Sequence, residues 1–163
     1  FSAFTIGDLA SGVGCSRRTL YELAPSKDHL VLLVLDRYLH RTGRSALAAI
    51  VDDAPVIEQI RQYMTGGADF ALKAVLHDDL ADEPAARRLL DRHFRFSIDV
   101  TARLVERGVK QGELRLVNPW VVAATIAGSS IYMAQPETIE DIGLPRAEIV
   151  DQMLDVVLPG LLP

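Results

Sequence analysis

The sequence predicts an all-α protein, on three observations. Helix starts recur along the chain, each marked by a Ser, Thr or Asn cap or by a proline in a first turn. Strand signals are missing, with no clear Asn-Gly or Asp-Gly hairpin and no sustained alternation of apolar and polar residues. Apolar residues (49%) and charged residues (24%) stand at values ordinary for a folded globular chain, which argues against disorder.

The elements follow in order. Thr5-Ile6-Gly7-Asp8 reads as a capping box, in which the Thr5 hydroxyl and the Asp8 carboxylate satisfy free amides of a first turn. A short second helix begins at Ser16, a good N-cap. A third begins at Pro25-Ser26-Lys27 and carries its apolar face on Leu30, Val34, Leu35, Tyr38 and Leu39. Later starts fall at Ala54-Pro55, Glu83-Pro84, Asn118-Pro119 and Leu144-Pro145, where a proline just inside the helix sacrifices no hydrogen bond. Gly66-Gly67 is placed to kink or interrupt a helix over 55–77, and Gly112 is the expected stop of the long stretch 84–111. Residues 136–143 read as the longest loop. The sum is about eight helices, with no repeat and no low-complexity tract. At 163 residues the chain has room for one core, or for a small module joined to a larger one.

Net charge is −5, unevenly spread. Residues 1–50 carry six Lys/Arg against four Asp/Glu, and the remainder carries 11 against 18. The pattern is a modestly basic footprint on an acidic body. The longest apolar run, 121–133, is too short to span a bilayer and is broken by Thr125, Gly128, Ser129 and Ser130. No basic-then-apolar segment opens the chain, and the single Cys15 excludes an intrachain disulfide and a cysteine-only zinc site. The expectation is therefore a cytoplasmic protein with no membrane partner.

An enzyme needs a constellation, and none forms. His77-Asp78-Asp79 offers a histidine and two acids, but adjacent helical residues point about 100° apart and cannot all ligate one metal. Cys15 lies in an expected turn, and no phosphate-binding glycine motif is present. The expectation is no catalytic residue, no metal and no cofactor.

Residues 5–23 carry the most specific spacing. Two helices that cross steeply need a small residue at their contact, a residue tolerant of positive φ at the turn, and apolar anchors on both sides. Ala10 supplies the first and Gly14 the second; Leu9, Val13, Cys15, Leu20 and Leu23 supply the anchors. That is the helix-turn-helix arrangement, although a plain αα-hairpin shares much of it. The second helix leads with Ser16-Arg17-Arg18-Thr19, groups able to donate to phosphates or base edges, and Tyr21 and Lys27 follow. Tyr21 is equally suited to cap the small core as an amphipathic ring.

The run FTIGDLASGVGCSRRTLYELAPSKDHL resembles the DNA-binding segment of the tetracycline-repressor (TetR) family. The family pattern falls on Thr5, Leu9-Ala10, Gly14-Cys15-Ser16, Thr19-Leu20-Tyr21, Ser26-Lys27 and Leu30. Gly112-Glu113-Leu114-Arg115, then Asn118-Pro119 and an Ala-rich helix, resembles the family's approach to its dimerisation helices. The resemblance implies a helix-turn-helix DNA-binding domain over 1–30 and a ligand-binding and dimerisation domain over 31–163. It implies a further helix ahead of Thr5, upstream of Phe1. By the same resemblance Thr5, Thr19, Tyr21 and Lys27 would contact phosphates, while Ser16, Arg17 and Arg18 would face base edges. Two departures stand out: Ala24 replaces a usual aromatic and would thin the packing behind the recognition helix, and Glu22 sits beside Tyr21.

In the body, residues 119–134 are apolar around nearly the whole helix, with small residues at Ala123/Ala127 and Ala124/Gly128. The last helix, about 146–158, offers Ile149, Val150, Met153, Leu154, Val156 and Val157. Two such helices either serve the chain's own core or give one face to a partner; the resemblance implies a four-helix interface across a two-fold axis. The expected dimer residues are Ala123, Ala127, Ser130, Ile131, Ile149, Met153 and Val157. The middle, 55–111, would wall a cavity for a small, largely apolar effector, lined by Tyr63, Met64, Phe70, His93, Phe94 and Trp120, with His77 and Phe96 as further choices. Each of these also reads as plain core. The expected partners are operator DNA, an effector and a second copy; the competing reading is a helical dimeric binding protein without DNA reading, favoured by Glu22 and Ala24.

Overall fold

The computed structural model describes residues 4–67 and 83–163, and all regular elements among them are helical. In chain order they are α1 (Ile6–Val13), α2 (Arg17–Leu23), α3 (Lys27–Ala48), α4 (Val56–Gly66), α5 (Pro84–Gln111), α6 (Pro119–Met133), α7 (Pro136–Ile142) and α8 (Arg146–Val157), closed by a 3-10 turn at Leu158–Leu161.

The expected stops and starts are visible in the backbone. Gly112 takes φ of 75° immediately after α5, in the left-handed region that glycine enters without a Cβ penalty. Asn118 caps α6, its Oδ1 accepting from the amides of Trp120 (3.0 Å) and Val121 (3.2 Å). Pro84 and Pro119 begin their helices, whereas Pro55 and Pro145 sit one residue outside, as extended caps. Helix α4 ends at Gly66 with Gly67 as its cap, so the glycine pair terminates the helix; the rest of the expected 55–77 helix lies outside the described residues.

One expectation is overturned. Residues 136–143 are not a loop but hold the short helix α7, Pro136–Ile142. Pro136 supplies a preset φ in the first turn, Glu137 favours its positive end, and Gly143 closes it in the left-handed conformation at φ 72°. The proline in the first turn is the signal that also marks α6.

The chain divides into two compact units, residues 1–41 with 72–91 and residues 42–71 with 92–163. The domain boundary expected after residue 30 falls inside the continuous helix α3. The first unit holds α1 and α2 over a small core of Ala10, Leu20, Ala24 and Leu30, with Ile6, Leu9 and Cys15 against it. Ala24 is buried in that core. A second cluster joins Leu35 and Leu39 of α3 to Ala86 of α5.

The second unit has the larger core, centred on Ile60, Tyr63, Val105, Ile126, Leu154 and Leu158. Helix α8 packs on both α4 and α6. Arg61 of α4 reaches Asp155 at 2.6 Å and Asp151 at 3.6 Å on α8. Buried Gln59 donates to the carbonyls of Asp52 (2.8 Å) and Ala54 (2.7 Å) and accepts from Arg107, so its polar ends are matched.

Candidate nucleic-acid interface

The local chemistry of residues 5–29 builds two short helices with a sharp turn between them. Thr5 Oγ1 accepts from the Asp8 amide at 3.1 Å, and the Thr5 amide donates to Asp8 Oδ2 at 2.8 Å, the reciprocal capping box read from the sequence. The Thr5 hydroxyl also donates to the same carboxylate at 2.6 Å. These bonds hold the Asp8 carboxyl below its ordinary range, with smaller help from the Arg17 and Lys27 charges. Gly14 closes α1 at φ 70°, and the Cys15 amide donates back to the Ala10 carbonyl at 2.9 Å. Ser16 then caps α2, accepting from the Thr19 amide at 3.1 Å. Ser26 caps α3 in the same way, accepting from the His29 amide at 3.2 Å, with His29 Nδ1 2.8 Å from its hydroxyl.

The expected DNA-contacting side chains all occur in this module, in different settings. Ser16 and Thr19 are exposed at the start of α2, their hydroxyls 2.9 Å apart. Arg18 is exposed and paired one turn on with Glu22 at 3.1 Å. Glu22 is therefore engaged along the helix, in a contact that the i, i+4 spacing carries. Tyr21 is 54% exposed. Lys27 opens α3.

Arg17 is also exposed, and its guanidinium lies against Gly7 of α1: a Cβ built there would stand 2.8 Å from its Nη2. Spacing alone gives no view of such a fold-back, because it depends on the crossing of α1 and α2.

The other expected sites are distributed as follows. Tyr63 is part of the second unit's core, where burial pushes its phenol pKa up and a hydrogen bond with Ser97 works against that rise. Met64 is half-buried against the same core. His93 and Phe94 are half-buried, with ring centroids 6.3 Å apart and tilted by 57°. Trp120 is 58% exposed and Phe96 is also exposed. Phe70 and His77 lie outside the described residues.

The expected dimer residues on α6 and α8 are placed as follows. Ala123, Ala127, Ile149 and Met153 are buried within this one chain, because α6 and α8 pack those faces on each other and on α4. Ser130 is occupied too, donating to the Ile126 carbonyl at 2.8 Å, and Val157 packs against the core; Ile131 is half-buried. The residues that α6 leaves exposed are Trp120, Val121, Ala124, Thr125, Gly128 and Tyr132. On α8, Gln152 and Val156 are exposed, the latter at 81%. Among the described residues no helix is long and apolar enough to cross a membrane, and no group of three His, Cys, Asp or Glu is placed to hold a metal.

No family model matches the chain. In sequence it is 23% identical over 163 residues to YvaF, an uncharacterized HTH-type transcriptional regulator of Bacillus subtilis, covering 98% of this chain and 86% of that protein. In structure it is similar to a transcriptional regulator of the TetR/AcrR family from Thermobifida fusca, with a TM-score of 0.75 and 22% identity over 98% of this chain and 87% of the other. It is also similar to AibR, solved in complex with isovaleryl coenzyme A and operator DNA, with a TM-score of 0.66 and 18% identity over 97% and 89% of the two chains. An N-terminal helix-turn-helix followed by an all-helical body, aligned over nearly its whole length, gives this chain the fold of the TetR-family transcriptional regulators.

Proposed function

We propose that the chain is a DNA-binding transcriptional regulator, acting as a repressor, that grips a palindromic operator as a homodimer and changes affinity when a small, largely apolar molecule binds. The observation that carries this reading is α2. It is a short helix held at a fixed turn from α1 by Gly14, with Ser16, Arg18, Thr19 and Tyr21 exposed along it. Such a helix fits a major groove, and its polar groups suit phosphates and base edges.

Seven residues of helix read too few base pairs for useful specificity. Two copies about 34 Å apart would read a palindrome, which is the reason for a dimer. The partner-facing surface in this reading is the exposed stripe Val121, Thr125, Gly128 and Tyr132 on α6, with Val156 on α8. Support for an effector comes from the AibR likeness, since that protein was solved with isovaleryl coenzyme A as well as operator DNA. Helix α3 would relay the effector's presence, as its first residues belong to the unit with the helix-turn-helix and its last to the other. A shift of α3 would change the separation of the two α2 helices, and differential binding of about 1–3 kcal/mol is enough to move such an equilibrium.

Fluorescence anisotropy on DNA flanking the protein's own coding region, over a range of salt, tests the reading beside an Arg17→Ala/Arg18→Ala variant. Tight, salt-sensitive binding that the variant loses is the expected result. Equal, weak binding by both folded proteins would leave a helical dimeric small-molecule-binding protein without DNA reading. That second reading has one observation behind it: Glu22 occupies Arg18.

A further inference from the structure

We propose that Gly7 is a positioning residue for DNA binding: its missing side chain lets the Arg17 guanidinium lie across the first turn of α1, where Arg17 meets a phosphate rather than a base edge. The inference rests on the DNA-binding reading above and deepens it.

The geometry is specific to the head of the side chain. A Cβ on Gly7 would stand 2.8 Å from Nη2, 3.1 Å from Nε and 3.2 Å from Cζ of Arg17, so the guanidinium itself fills the space an ordinary residue would take. Real carbon–nitrogen contacts do not close to 2.8 Å, and any side chain at position 7 displaces that group. An acidic group is close by. Asp8, the next residue, has its carboxyl engaged first by the Thr5 hydroxyl and amide, and both Arg17 and Lys27 act on it electrostatically.

Arg17 and Arg18 are adjacent, and successive helical side chains diverge by about 100°. Here they divide between two surfaces. Arg18 stays on α2, paired with Glu22, while Arg17 reaches back to Gly7 of α1, where its charge acts on Asp8. A guanidinium set back on the supporting helix is suited to the DNA backbone, where a charged fork binds phosphate oxygens; an arginine on the outer face of α2 is suited to bases. Phosphate contacts fix register without sequence preference, and base contacts specify.

The test uses the whole chain, operator DNA found by the binding assay above, and a panel of single base-pair changes in that DNA. Four variants are compared: Gly7→Ala, Arg17→Ala, Arg17→Lys and the Gly7→Ala/Arg17→Ala pair. Gly7→Ala is expected to keep or raise the thermal midpoint, because alanine favours the helix and the clash is with the end of a flexible side chain. It is nevertheless expected to bind about tenfold more weakly, by the same factor on every DNA of the panel. The slope of log affinity against log salt should fall by about one charge, and Arg17→Lys should retain that slope. The pair should bind no more weakly than Arg17→Ala alone, as required if Gly7 acts only through Arg17. Wild-type affinity in Gly7→Ala overturns the proposal, as does additive loss in the pair. Loss of discrimination at one base pair in Arg17→Ala, with the salt slope intact, also overturns it and returns Arg17 to base readout. Absence of DNA binding by the wild-type protein overturns the DNA-binding reading itself, and this inference with it.

Discussion

The two ends of the molecule are stabilised by different means. Among the described residues, the helix-turn-helix module has four buried residues in its own core, two of them alanines, whereas the body's main cluster has fourteen, including Ile60, Ile126, Leu154 and Leu158 at 0–1% exposure. Burying two leucines and two alanines yields roughly 4–6 kcal/mol before the entropy of ordering is charged against it. Against so small a sum, caps worth about 1 kcal/mol each decide whether the module holds. Thr5, Asp8, Gly14, Ser16 and Ser26 are those caps and turns. In the body the balance is reversed, and no single cap competes with the core.

The largest effect is expected in the body. Leu154 is fully buried between α8 and its neighbours, so Leu154→Ala leaves a cavity and should cost about 2–5 kcal/mol in denaturant unfolding. If hydrogen exchange shows α1 and α2 losing protection by the same amount, the two regions unfold as one and the contrast fails. A smaller effect, about 2 kcal/mol, is expected from Val156→Asp, and only on self-association. Val156 is 81% exposed in the single chain, so a carboxylate there leaves the monomer's core untouched. Sedimentation at several concentrations should show a weaker dimer with an unchanged monomer midpoint; an unchanged dimer moves the interface off this face. Next comes Gly14→Ala, which forces a Cβ into the left-handed region at a cost of about 1–2 kcal/mol. Protection should fall in α1 and α2 and stay constant in α8.

The same contrast governs how much was legible in the sequence. Caps and turns are local, written in three or four consecutive residues, and so the Thr5–Asp8 box, Gly14, Ser16, Asn118 and Gly112 stand where the sequence predicts them. Helix α7 carries equally local signals at Pro136 and Gly143 and was legible in the same terms, yet its polar residues read as a loop. Faces are not local. Residues 119–134 are apolar all round, so the pattern could not tell Ala123 and Ala127, which pack inside, from Ala124 and Gly128, which do not. Only the packing of α4, α6 and α8 decides it. Arg17 is the corresponding case in the module: its direction is set by a glycine ten residues earlier on another helix.

The smallest effect is also the most selective, because it separates the two regions by pH alone. Asp8 in the module and Glu106 in the body are both exposed carboxylates with lowered pKa, the first through Thr5 and the second through its bond to Lys110. A carboxyl held below its unfolded value favours the folded state wherever it is ionised in both states. That contribution is present above the ordinary value, 3.8 for Asp8, and is lost as pH falls through the lowered one. Acidification below pH 3.8 should therefore loosen α1 first, since Asp8 closes a cap on which a small core depends. Glu106 and Lys110 form an exposed i, i+4 pair on α5 whose loss the large core absorbs. Amide exchange measured down the acid limb should show α1 opening in the wild type and a flatter profile in Asp8→Asn, whose side chain cannot titrate there. Glu106→Gln should leave both regions at wild-type protection. Equal sensitivity of the two variants would mean that the module draws its stability from the same source as the body.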